Sequence, residues 1–109
     1  MIRSFAGRDT ELVWQGIRSR RLPDEVQRVG LRKLEMLDAA ETVVDLREPP
    51  SNRLEALKGD RKGYWSIRIN VQWRIIFRWE DSYAENVEII DYHQEAGLAA
   101  NPNGRRDSA

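Results

Sequence analysis

A chain of 109 residues can bury about two-thirds of its unfolded surface in one core, but it is too short to carry separate catalytic and regulatory modules. With 40% hydrophobic and 33% charged residues, no apolar run near the ~20 residues that span a bilayer, and no signal-peptide-like stretch at the start, it is expected to be a cytoplasmic globular protein. The absence of cysteine excludes disulfides and thiol catalysis, one histidine leaves too few nitrogen ligands for a metal unless carboxylates help, so no cofactor is expected, and 18 basic against 18 acidic side chains exclude a uniformly basic partner-binding surface.

Residues 2–5 alternate apolar and polar and predict a short strand, after which Asp9 or Thr10 is a plausible N-cap for a helix carrying Leu12, Val13 and Ile17 and running to Pro23. Pro23 suits the first turn of a second helix, in which Val26, Val29, Gly30, Leu34 and Leu37 recur at helical spacing opposite a polar face with Arg28, Arg32 and Lys33. Pro49, Pro50, Ser51 and Asn52 break the next segment into a loop that leads to a short strand around Leu54 to Leu57.

Beyond the turn from Lys58 to Gly63, Trp65, Ile67 and Ile69 fall on one face of a strand, with Ser66, Arg68 and Asn70 on the other. The following strand repeats this, Trp73, Ile75, Phe77 and Trp79 against Arg74, Ile76 and Arg78, and a turn over 80–85 precedes a last strand from Asn86 to about Tyr92. The three strand tryptophans are assigned to core packing. Helices followed by antiparallel strands predict an α+β fold, two N-terminal helices covering one face of a small, curved, mainly antiparallel sheet and leaving the other face free for a site. Residues 1–93 are expected to form the domain, and 94–109, small, polar and Gly/Pro-bearing, a flexible tail.

Charge is unevenly distributed. From Arg53 to Arg78 there are seven basic residues against two acidic ones, and from Glu80 to Glu95 six acidic residues and no Lys or Arg. A local cationic patch is what the chain offers to phosphate. The plainer reading is that both stretches are solvated strand faces whose charges blunt sheet edges.

Three segments, RLEALKGDRKGYWSIRIN (53–70), WRIIF (73–77) and DYH (91–93), resemble the RelE/ParE toxin superfamily, most closely its HigB-type branch, over about residues 1–93. The resemblance implies a RelE-like fold and a ribosome-dependent endoribonuclease that cuts messenger RNA, inhibits translation and growth, and is neutralised by a cognate HigA-like helix-turn-helix antitoxin. Membrane association and direct DNA binding by this chain alone are not implied.

Metal-free RNA cleavage needs a 2′-hydroxyl activated against the adjacent phosphorus, stabilisation of the developing negative charge, and a proton for the departing 5′-oxygen. The resemblance assigns Arg74 to phosphate or transition-state stabilisation and places Lys58 and Arg61 next to the message. Arg68 is a supporting phosphate contact. His93 matches the family's terminal histidine, and with a reference pKa near 6.5 it is the natural proton carrier. Asp91 either orients His93 or acts as the base itself, and Tyr92 stacks on a base of the message. Strict alternation puts Asp91 and His93 on one face and Tyr92 on the other unless the strand ends or bulges there. The chain departs from the pattern at Glu55, where some relatives carry a histidine, so the general base stays open.

Two other functions fit the same resemblance: a ParE-like toxin that inhibits gyrase by protein contacts without cutting RNA, and a chain that only binds its partner. A pure binding inhibitor has no chemical need for Lys58, Arg74 and His93, which is the discriminating feature.

Overall fold

A computed structural model describes residues 1–92; His93 and the tail expected over 94–109 lie outside the described residues. Two helices come first, α1 (Arg8–Trp14) and α2 (Asp24–Ala39), followed by the single turns Val43–Arg47 and Pro50–Asn52, then strands β1 (Glu55–Ala56), β2 (Tyr64–Arg68), β3 (Trp73–Glu80) and β4 (Tyr83–Asp91), with a further turn, Gly59–Arg61, between β1 and β2. The strands form one sheet in the order β1-β2-β3-β4, every pair antiparallel, so the α+β class expected from the sequence is the one adopted. No helix among the described residues is long and apolar enough to cross a membrane.

The first helix differs from expectation at both ends. Gly7, not Asp9 or Thr10, occupies its N-cap position, because both side chains are drawn into tertiary bonds: Thr10 Oγ1 accepts from the Ile89 amide at 2.8 Å, and Asp9 accepts from the Ser19 hydroxyl at 2.8 Å. It ends at Trp14 rather than near Pro23, with Gly16 at φ 79° in the turn beyond, and Ile17 is left 52% exposed. Pro23 stands at the N-cap position of α2 rather than inside its first turn. The predicted strand at 2–5 is reduced to two isolated parallel bridges, Ile2 to Ala84 and Phe5 to Val87. Between them the ladder is broken by an extra residue in β4, where Asn86 adopts φ 54° and its amide turns to the Ser4 hydroxyl.

The apolar stripe of α2 meets the apolar faces of β2 to β4. Leu34, Leu37, Ile67, Ile75, Phe77 and Val87 are fully buried there, and Trp65, Trp73 and Trp79 pack against them. Gly30 permits the approach: a Cβ would lie 3.3 Å from Ile89 Cδ1 and 3.5 Å from Ile69 Cδ1. Lys33, expected on the polar face, is instead buried, its ammonium donating to Asn52 Oδ1 at 2.5 Å.

The opposite face is not free. Leu57, Ile76 and Ile90 form a second, smaller cluster with Tyr64 and Tyr92 packed against it. Ile76, lying among arginines, needs cover from water, and Leu57 provides it, its amide bonded to the Tyr64 carbonyl at 2.9 Å. The turn between β3 and β4 is also tighter than expected, only Asp81 and Ser82, with Asp81 at φ 57°.

The stretch from Thr42 to Arg53, expected to be a loop, contains two helical turns, the first closed by a capping box. Asp45 Oδ2 accepts from the amides of Glu41 and Thr42, both at 3.0 Å, and these bonds hold its carboxyl below the ordinary value of 3.8. The carboxylate therefore stabilises the fold above pH 3.8, and that contribution disappears as the pH falls through the depressed folded-state pKa. Asp45→Asn is expected to lower the thermal midpoint at pH 7 and to reduce its fall on acidification; equal pH profiles for the variant and the parent would contradict the cap.

Candidate active site

Arg74 sits mid-sheet in β3, paired in register with Arg68 of β2 and Ile90 of β4. It is 7% exposed, deeper than expected for an arginine projecting from an open face, because the β1 strand and its approach fold over it. Its fork is held at both tips: Nη1 donates to Glu55 Oε1 at 2.7 Å and Nη2 to the Arg53 carbonyl oxygen at 2.6 Å. The guanidinium carbon stands 5.0 Å from the centre of the Tyr92 ring, a cation–π distance. Arg74 Nε is buried with no hydrogen-bond partner, as is Ser66 Oγ. Because the Glu55 side chain is 54% exposed, water screens the ion pair, and its net worth is about 1 kcal/mol at most. The pairing orders the guanidinium without trapping it, because the half-solvated carboxylate can yield Nη1 to an incoming anion.

Arg53 itself adopts φ 47° at the end of the Pro50–Asn52 turn. That conformation turns its carbonyl towards Arg74 while its side chain lines a shallow depression with Leu54, Glu55 and Arg74.

A second cationic group lies in the connection between β1 and β2. Lys58 precedes the Gly59–Arg61 turn, exposed and without an ion pair among the described residues. Gly59 at φ 63° and Gly63 at φ 96° supply the left-handed conformations that the turn demands. Arg61 and Arg78 both approach the Tyr64 ring, at 5.7 and 5.6 Å. Tyr64 is thus a pillar that holds the turn against the sheet.

The remaining predicted residues are divided. Tyr92 joins Arg74, as above, its amide donating to the Gln72 carbonyl at 2.8 Å. Asp91 pairs in register with Trp73, which puts it on the helix-covered side of the sheet, and accepts from Gln72 Nε2 at 2.9 Å. Arg68 lines a separate cleft with Lys33 and Arg53. His93 lies outside the described residues. Among the described residues no group of three or more His, Cys, Asp or Glu side chains could hold a metal ion.

Glu55 and the Arg53 carbonyl, the two groups that fix Arg74, were not assigned such a role from the sequence. Two residues of β1 carry no periodicity from which a register can be read. The usable signal was Ile76, whose apolar side chain on the arginine face required a cover from the preceding segment.

The arrangement offers a rigid guanidinium to a phosphate and, bonded to it, a carboxylate able to accept a proton. Residues 5–93 match the family model described as the RelE-like toxin of type II toxin-antitoxin system HigB. The chain is 48% identical over 77 residues to Toxin HigB-1 of Vibrio cholerae serotype O1, covering 71% of this chain and 80% of that protein. It is 38% identical over 96 residues to Endoribonuclease HigB of Proteus vulgaris, covering 85% of this chain and 100% of that protein. Among solved structures, a mutant of YafQ from E. coli superposes with a TM-score of 0.62 at 16% identity, covering 87% of this chain and 96% of the other. The YoeB-YefM complex from Staphylococcus aureus gives 0.54 at 16% identity, covering 82% and 94%. These two likenesses concern the fold alone.

Proposed function

From the premise that the chain belongs to the HigB family of RelE-like toxins of type II toxin–antitoxin systems, we propose that it is an endoribonuclease that cuts messenger RNA on the ribosome and so arrests translation and growth. The observation that carries the reading is Arg74, a buried guanidinium immobilised between a main-chain carbonyl and a half-solvated carboxylate. A group held so firmly loses little entropy on meeting a phosphate.

In the proposed reaction a 2′-oxygen attacks the adjacent phosphorus, the P–O5′ bond breaks, and the products carry a 2′,3′-cyclic phosphate and a 5′-hydroxyl. Arg74 stabilises the charge that develops on the phosphoryl oxygens. Lys58 assists from the exposed turn, Arg61 borders the message and Tyr92 supports a base or the guanidinium itself. His93 is proposed to protonate the departing oxygen. Glu55, already bonded to Arg74, is a better placed base than Asp91, which stands on the other side of the sheet.

As a type II toxin the chain works with a protein antitoxin; a HigA-like helix-turn-helix protein is the proposed partner, the cytoplasm the proposed compartment, and residues 1–93 the proposed toxin domain with 94–109 as its tail. The gyrase reading is less favoured, since the relative from Proteus vulgaris, matched over its whole length, is named an endoribonuclease.

Mapping messenger 5′ ends after brief induction tests the proposal. New ends within coding regions are expected, and intact messages beside damaged DNA would overturn it. Lys58→Ala sharpens the test. Its side chain is exposed and only its carbonyl is bonded, to the Arg61 amide, so the truncation should alter stability by no more than about 0.5 kcal/mol. Cleavage should nevertheless slow by roughly 10²-fold, the low end for a group assisting proton transfer or charge stabilisation. An unchanged rate would remove Lys58 from the site.

A further inference from the structure

Beside the Arg74 centre lies a cleft of about 520 Å³ between α2, the Pro50–Asn52 turn and the end of β2. Three cations line it, Lys33, Arg53 and Arg68, together with one acid, Glu25. Lys33 is the unusual member. It is nine-tenths buried, and its ammonium is hydrogen-bonded to a neutral amide oxygen, that of Asn52. Asn52 is itself fully buried and anchored through Nδ2 to the carbonyls of Leu46 and Glu48, at 3.1 and 3.3 Å. A buried ammonium without a carboxylate partner is costly, and burial together with the neighbouring Arg32 lowers its pKa. An anion in the cleft would relieve that cost.

Arg53 and Arg68 have no ion-pair partner among the described residues and are available to the same anion. Two connections join this cleft to the reaction centre. Arg68 is the direct cross-strand partner of Arg74, and Arg53 lines both depressions while its carbonyl holds Arg74.

We propose that Lys33, Arg53 and Arg68 form a second phosphate subsite, which holds a backbone phosphate of the RNA adjoining the one at Arg74. The inference rests on the nuclease reading and deepens it. The subsite fixes the strand's direction across the sheet, and it gives the lysine inside the helix–loop interface a role. Glu25 closes the cleft on one side and opposes an anion there.

The test uses fluorescence anisotropy with two labelled, 2′-O-methylated RNA probes that resist cleavage, a hexanucleotide and a dinucleotide with a single linking phosphate, at several salt concentrations. Arg68→Gln and Lys33→Met should each weaken hexanucleotide binding several-fold and flatten the log Kd against log salt slope by about 0.7, the value for one phosphate on a single strand. Glu25→Gln should tighten it. The dinucleotide should respond to Arg74→Gln and be indifferent to the cleft variants. Hexanucleotide binding that is normal in wild type and unchanged in both Arg68→Gln and Lys33→Met overturns the subsite alone; Arg68, only partly buried, keeps this arm valid should Lys33→Met fold poorly. Wild-type protein that binds neither probe also overturns the subsite, whereas the nuclease reading falls only if messenger 5′ ends stay unchanged on induction.

Discussion

Arg74→Ala is expected to reduce messenger cleavage by about 10²- to 10³-fold, the usual consequence of deleting one preorganised donor to a developing oxyanion, and to relieve growth arrest. Stability should fall much less. The Glu55 carboxylate left behind is 54% exposed and simply rehydrates, so no buried charge is orphaned, and the remaining loss is the contact with Tyr92 and the bond to the Arg53 carbonyl, together about 1–2 kcal/mol. Arg74→Lys separates charge from geometry. An ammonium can reach Glu55 or the Arg53 carbonyl but cannot span both as the guanidinium fork does, so partial activity with a looser site is expected. The measurement is the cleavage rate of a defined message on purified ribosomes, with circular dichroism verifying the fold. A rate within threefold of wild type for Arg74→Ala would remove the arginine from the chemistry.

How far the sequence reveals this arrangement depends on the range of the interactions involved. Alternation in β2 and β3 is a local property of the chain, so Trp65, Ile67, Ile75 and Phe77 could be placed on the covered face without knowing any partner. The α2 stripe was legible for the same reason. The N-cap of α1 was not, because Thr10 and Asp9 satisfy Ile89 and Ser19, groups that no local pattern connects to them. Lys33 looked solvated until Asn52, from a loop 19 residues away, supplied its acceptor.

At the candidate site, the family motif singles out Arg74 as an expectation, but nothing local reveals its surroundings. The Glu55 contact depends on β1 pairing with β2 at Ser66, a register set by two residues and a glycine-bearing turn. Asp91 and Tyr92 divide between the faces as alternation demands, and the short C-terminal motif alone could not say which side of the sheet the arginine would occupy.

Loss of toxicity can also arise without touching the chemistry, and Phe77→Ala is the variant that shows the difference. Phe77 is fully buried on the helix side of β3, in edge contact with Trp79 at 6.4 Å, while Ile76 and Arg78 on either side point to the opposite face. Truncation removes its transfer free energy and leaves a cavity beneath α2, a loss of about 3–5 kcal/mol. A domain of this size holds roughly 5–15 kcal/mol in total, so much of its margin disappears. The thermal midpoint should drop by about 12 °C or more, at about 4–8 °C per kcal/mol. Denaturant titration should show a lower midpoint at an unchanged slope, since the surface exposed on unfolding is nearly the same. Cells should then accumulate less toxin, because the unfolded fraction is what proteases remove. Per folded molecule, however, cleavage should stay close to wild type, the opposite of Arg74→Ala, where folded protein accumulates and does not cut. A Phe77→Ala protein that loses less than about 1 kcal/mol would show that α2 and β3 do not share the tightly packed core that fixes Arg74 in place.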